Sequence, residues 1–117
     1  MTEPENKAKA YRTAEVRIQT VHWNGTGRIA LIGEIDMSNV ADAETTLSDL
    51  ASRRTALTLD LVGLSYLDSQ GVGMLLRLAK RAGGNGGTLT LANPRGLVRR
   101  VLDITNAAEV VTITDDM

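Results

Sequence analysis

Ser69 stands directly after Asp68 and ahead of Gln70-Gly71-Val72-Gly73, where an aliphatic run passes into a stretch with helical spacing. A serine at a helix N-terminus holds its hydroxyl among backbone N–H groups that lack intrahelical partners, at the positive end of the helix dipole. An added phosphate is electrostatically tolerated there. Gly71 and Gly73 fall in the first turn, where each lowers helix propensity by about 1 kcal/mol relative to alanine. Bare positions of this kind let another backbone or a partner surface come close. Taken alone, the segment also fits a plainer reading, in which Asp68 or Ser69 is an N-cap and the glycines relieve crowding against a sheet.

Other constellations carry less. A serine hydrolase needs a base near Ser69 and usually a Gly-x-Ser-x-Gly elbow, whereas the chain reads Leu67-Asp68-Ser69-Gln70-Gly71. The single histidine, His22, lies beside Trp23, and with no cysteine in the chain neither a thiolate site nor a multi-histidine metal site can be built. We therefore expect no cofactor and no enzymatic activity. The run Gly83-Gly84-Asn85-Gly86-Gly87 follows a helix and precedes a strand, the reverse of a phosphate-cradling loop, and reads as a turn. Arg77, Lys80 and Arg81 cluster after Ser69, and Arg99 and Arg100 lie further on. They form either a solvated face or a basic rim for an acidic partner, with Met74 and Leu78, one turn apart, as its apolar centre.

The elements that must position these residues are legible from periodicity. Met1 to Thr13 is polar, contains Pro4 and lacks both a sustained apolar period and a secretory core, so residues 1–13 read as a flexible arm and 14–117 as one domain. Glu15 to His22 alternates as a strand. Asn24-Gly25 suits a tight hairpin turn, and Arg28 to Ile35 forms the second strand. Ser38 or Asn39 would cap a helix running to about Arg53. Leu-rich Ala56 to Val62 reads as a strand buried on most of both faces. A second helix begins at Asp68 or Ser69 and ends near Ala82, with Val72, Leu75, Leu76 and Ala79 as its core stripe. Thr88 to Ala92 is the next strand. Asn93-Pro94 would start a third helix with Leu97, Val98, Val101 and Leu102 on its apolar face, and Val110 to Ile113 would close the chain as an edge strand. The implied fold is α/β: a mixed sheet entered by an antiparallel hairpin, continued by right-handed crossovers and flanked by about three to four helices.

Composition narrows the function. At 117 residues and 43% apolar content, one domain with a buried core is expected, and with no phenylalanine that core must be aliphatic. A net charge of −1 offers no broad attraction for nucleic acid. No apolar run approaches the roughly 20 residues that span a bilayer, and the expectation is a cytoplasmic protein without membrane insertion.

The stretch Leu57 to Leu76, an aliphatic strand with Asp60, a short loop, then Asp68-Ser69-Gln70-Gly71-Val72-Gly73, resembles the signature loop of STAS domains, and of the bacterial anti-sigma factor antagonists in particular. Gly33-Glu34-Ile35-Asp36 resembles the family's Gly-Glu-aliphatic-Asp at the end of its second strand, and Asn93-Pro94 with Val98 to Leu102 resembles the start of its third helix. The likeness runs from Glu15 to Ile113 and implies the STAS fold. It implies further that Ser69 is the residue phosphorylated by a partner serine kinase of histidine-kinase-like ATPase fold, itself an anti-sigma factor. Asp36, Asp68, Ser69, Gln70, Gly71, Gly73, Met74 and Arg77 would lie on the partner-binding surface, and a serine phosphatase would reverse the switch. Gln70 replaces the small residue many relatives carry, which leaves the choice of kinase open, and Val72 replaces the usual leucine. The same family implies one rival, a subunit of a transporter or of a stress-signalling complex.

Overall fold

The computed structural model describes residues 8–13, 16–23, 26–52 and 56–116. The strands are β1 (Ala8–Thr13), β2 (Val16–Trp23), β3 (Thr26–Ile35), β4 (Ala56–Asp60), β5 (Leu64–Leu67), β6 (Thr88–Ala92) and β7 (Thr112–Thr114). The helices are α1 (Val40–Ala51), α2 (Ser69–Gly84) and α3 (Gly96–Ile104), and a 3-10 turn at Ala107–Glu109 precedes β7. The sheet order is β1-β2-β3-β4-β6-β7, with β5 paired to β3. The pairs β1–β2 and β2–β3 are antiparallel, while β3–β4, β4–β6 and β6–β7 are parallel. This is the expected mixed sheet, entered through antiparallel strands. The Asn24-Gly25 turn, residues 1–7 and the predicted helix end at Arg53 lie outside the described residues.

The parallel part grows in one direction, and right-handed crossovers in such a series set every intervening helix on the same face. The burial follows. Leu57 and Leu59 of β4 are buried among Ile29, Leu31, Leu47, Leu75 and Leu91, whereas Ala56, Thr58 and Asp60 on the alternate positions stay partly open. β4 is therefore covered on one face and not, as expected from its leucines, on most of both. On the open face the Arg28 guanidinium lies 3.0 Å from Asp60 Oδ2 and 3.0 Å from Asp116 Oδ1, which ties the C-terminal segment to the middle of the sheet.

β3 is long enough to serve two partners. Thr26 to Ala30 pairs with β4, and Gly33 to Ile35 pairs with β5 after a shift of register between Gly33 and Glu34. Gly33 has a φ of 115°, a conformation open to glycine, and its N–H donates to the Gly63 carbonyl at 3.0 Å. β4 and β5 thus form two segments of one line, broken at residues 61–63. Sequence periodicity passes over β5 because four residues are too few to show a period.

Three further boundaries differ from expectation. Ala8–Thr13 is an edge strand rather than part of an arm, because backbone pairing with β2 needs no apolar period. α3 starts at Gly96 with Arg95 as N-cap. Asn93, instead of capping, takes a φ of 60° and is fully buried, its Nδ2 donating to Asp116 Oδ1 at 2.9 Å and its Oδ1 accepting the Asp116 N–H at 2.9 Å. The last strand is Thr112–Thr114, starting two residues later than the expected Val110, since the stretch from Ala107 to Val111 turns inward first and buries Ala107 and Val111.

Candidate functional site

Asp68 joins two elements. It has an extended backbone at the α2 N-cap, and its Oδ1 accepts the Gly71 N–H at 3.0 Å. Its Oδ2 accepts the Met37 N–H at 3.1 Å, while its own N–H donates to the Ile35 carbonyl at 3.3 Å. The end of β3 and the start of α2 are stapled by this one carboxylate. Ser69 is consequently the first helical residue rather than the cap. It is exposed, and its hydroxyl bonds to no described residue.

The adjoining loop is capped by Asp36. Its Oδ1 accepts the Ser38 N–H at 2.8 Å and the Ser38 hydroxyl at 2.5 Å, and its carbonyl accepts the Val40 N–H at 3.0 Å. Hydrogen bonds from Ser38, side chain before backbone, hold the Asp36 carboxyl below its usual range, so it is ionised near neutral pH. Asn39 occupies the N-cap position of α1, one of the two predicted, but its side chain makes no cap bond. Asn39 is 1% exposed and turned inward, its Oδ1 accepting the Asp36 N–H at 3.0 Å and its Nδ2 donating to the Glu34 carbonyl at 2.8 Å. Asp36 and Ser69 lie at the same end of the sheet, joined through Met37 and Asp68.

The two glycines have different surroundings. A Cβ on Gly71 would lie 2.3 Å from Leu67 Cδ1 and 3.2 Å from Ile35 Cγ2, so Gly71 lets α2 close onto β5 and β3. Gly73 faces outward, and a Cβ there would meet only Arg77 Nη1, at 3.2 Å. Met74 and Leu78, read from the sequence as an exposed apolar centre, are core residues at 0% and 2% exposure, because the buried stripe of α2 runs through Gly71, Val72, Met74, Leu75 and Leu78. Leu76 and Ala79 are only partly buried. Arg77 is held by α1, its Nη2 2.6 Å from Glu44 Oε1 and its Nε 3.0 Å from Glu44 Oε2, and Arg81 Nη1 donates to Ser48 Oγ at 2.6 Å.

The exposed apolar group beside Ser69 is Met37, 77% exposed at the residue whose N–H binds Asp68. Sequence reading missed it; its only signal was a methionine between Asp36 and Ser38 in a loop otherwise expected to be polar. Asp36, Met37, Ser69, Gln70, Gly73 and Arg77 are the parts of this region that a partner can reach. Among the described residues no group of three carboxylates or imidazoles is placed to hold a metal ion, and no helix is long and apolar enough to cross a membrane.

Residues 18–112 match the family model described as Mlab, STAS domain. The chain belongs to the STAS domain family. It is 33% identical over 86 residues to a STAS-domain containing protein of Pseudomonas aeruginosa, a match covering 74% of this chain and 85% of that one. It is 30% identical over 87 residues to the anti-sigma-B factor antagonist of Bacillus subtilis, covering 74% and 80%. The crystal structure of an anti-sigma factor antagonist from Mycobacterium paratuberculosis superposes with a TM-score of 0.75 at 19% identity, covering 100% of this chain and 92% of that chain, and shares its fold.

Proposed function

We propose that this protein is an anti-sigma factor antagonist: a binding module, not an enzyme, that engages an anti-sigma factor serine kinase and so frees a sigma factor, and that phosphate on Ser69 ends the engagement. The observation that carries this reading is the division of labour at the α2 N-terminus. Asp68 does the capping, and Ser69 is left exposed, its hydroxyl without a bond to any described residue. A kinase can take that hydroxyl without breaking a bond the fold relies on. In the transfer, Ser69 Oγ attacks the γ-phosphorus of ATP, the bond to the bridging oxygen breaks, ADP leaves, and the hydroxyl proton passes to a base on the kinase. Phosphoserine adds about 1.5 to 2 negative charges. They arrive beside Asp36, already held ionised by Ser38, and Asp68. Burying that added charge, already flanked by carboxylates, against an apolar or carboxylate-bearing partner surface opposes association.

Incubation with ATP and the anti-sigma kinase co-purified from the native host, followed by peptide mass spectrometry, tests the assignment. Phosphate is expected on Ser69; phosphate elsewhere with Ser69 unmodified overturns it. Ser69→Ala is expected to hold the kinase persistently and Ser69→Glu to bind it weakly. Recovery of a membrane transport ATPase in place of a kinase would favour the transporter-subunit role instead.

A further inference from the structure

Ser69, Gly73 and Arg77 follow one another at intervals of four residues and so share one stripe of α2. Helical side chains lean toward the N-terminus of their own helix, and the Arg77 side chain accordingly runs back over Gly73 in the direction of Ser69. A neighbouring helix holds it there. Arg77 Nε lies 3.0 Å from Glu44 Oε2 and Nη2 lies 2.6 Å from Glu44 Oε1, so both of these nitrogens are engaged by α1. The remaining nitrogen, Nη1, donates to no described residue and lies 3.2 Å from the point where a Cβ on Gly73 would stand. Positions four apart on a helix are separated by about 5 to 6 Å at Cβ. Nη1 is therefore about one helical turn from the Ser69 side chain, with only the bare backbone of Gly73 between them. Arg81, the next residue on the stripe, turns away to Ser48, its Nη1 donating to Ser48 Oγ at 2.6 Å.

We propose that Arg77 is the internal receptor for the Ser69 phosphate: Nη1 donates to a phosphoryl oxygen across Gly73 while Nε and Nη2 stay on Glu44. The inference rests on phosphorylation at Ser69 and deepens it by naming the group of the chain itself that takes the phosphate. The grounds are reach and charge. The hydroxyl alone is too short to meet Nη1, whereas a phosphoserine is longer and ends in three strong acceptor oxygens. Hydrogen bonds between guanidinium and phosphate are of the strong, charge-assisted kind. On the other side of Ser69 the carboxylates of Asp68 and Asp36 repel the phosphate, which leaves the direction of Gly73 and Arg77 as the favourable one. A lysine at position 77 could not do the same, since a single ammonium lacks the planar fork that holds Glu44 on one edge and offers a donor on another. Phosphorylation would thereby also withdraw Arg77 from the surface that a partner reaches.

The test places phosphoserine at position 69 of the full chain during translation, so it requires no kinase. Phosphorus NMR follows the second ionisation of the phosphate, which falls near about pH 6 for an unconstrained phosphoserine. That ionisation is expected at least about 0.5 pH unit lower in the parent than in Arg77→Gln, because a hydrogen-bonded cation favours the dianion. Gly73→Leu sets a side chain between the two groups and is expected to raise it as Arg77→Gln does, with Arg77 still present and the circular dichroism unchanged. Arg81→Gln removes an exposed cation one turn further on and is expected to move it by less than about 0.1 pH unit. Equal values in the parent and Arg77→Gln overturn the proposal. So does an effect of Arg81→Gln as large as that of Arg77→Gln, since general charge rather than contact would then be acting. Failure of the co-purified kinase to modify Ser69 would instead overturn the switch while leaving the phosphate contact measured here intact, so the two failures are distinct.

Discussion

Asp68 and Ser69 differ by one position along the chain and by their whole function. Because the carboxylate of Asp68 accepts from both Gly71 and Met37, Asp68→Ala should lower stability by about 1 to 2 kcal/mol, read as a drop in Tm of several degrees. Ser69→Ala removes no hydrogen bond to a described residue and is expected to leave Tm within about 1 °C of the parent. A large loss of Tm on the serine change would show that the hydroxyl has a structural task after all. The glycine pair separates in the same way. Gly71→Ala drives a methyl group against Leu67 and should destabilise by about 1 to 3 kcal/mol. Gly73→Ala meets only Arg77 Nη1, the far end of a long side chain, and should be neutral or stabilising by up to about 1 kcal/mol. Chemical denaturation of the two variants side by side reads the contrast, and a kinase affinity lowered by Gly73→Ala alone would mark that position as one the partner approaches.

At the scale of the element, α1 and α2 are clamped together through Glu44. Hydrogen bonding from Arg77 holds the Glu44 carboxyl below its usual range against the opposing effect of burial. A carboxyl whose pKa is lowered in the folded state contributes stability above its unfolded pKa and loses it as pH falls through the folded one. Asp116, held low by Arg28 and Asn93, and Asp36, held low by Ser38, act in the same direction. Thermal stability should therefore erode as pH drops below about 4. Glu44→Gln should be less stable than the parent at pH 7, by no more than the roughly 1 kcal/mol of a partly exposed pair, read as a lower Tm, and the gap should close toward pH 3. A gap that is constant with pH would mean that the clamp is steric rather than ionic.

At the scale of the molecule, the consequence of one-directional strand order is that, among the described residues, the helices cover one face of the sheet, with β1 and β7 as its edges. β1 shields β2 by backbone pairing along its full length. Removal of residues 1–7 is expected to leave Tm within about 2 °C of the parent, whereas removal of residues 1–13 exposes β2 as a new edge and should lower Tm by several degrees and promote association at high concentration. Thermal melts with light scattering distinguish the two deletions, and equal behaviour would show that the β1 pairing adds nothing to stability.

The elements that sequence determined by itself were those whose side chains repeat. α2 begins at Ser69 as its N-terminal signals indicate, β6 spans Thr88–Ala92, and the placement of Ser69 after an aspartate at a helix start is a local property of a few adjacent residues. Tertiary structure decided which side chains make the cap bonds and which face of a helix is buried. Asn39 sits at the N-cap of α1 without a side-chain cap bond, because its side chain turns inward to satisfy the backbone at Glu34 and Asp36. Met74 went into the core because the roll of α2 is set by the close contact of Gly71 with Leu67, a pairing across elements that the 3.6-residue period of one helix does not contain. β1 and β5 stayed hidden for the same reason: backbone hydrogen bonding to a neighbour defines a strand, and the neighbour is known only once the chain has folded.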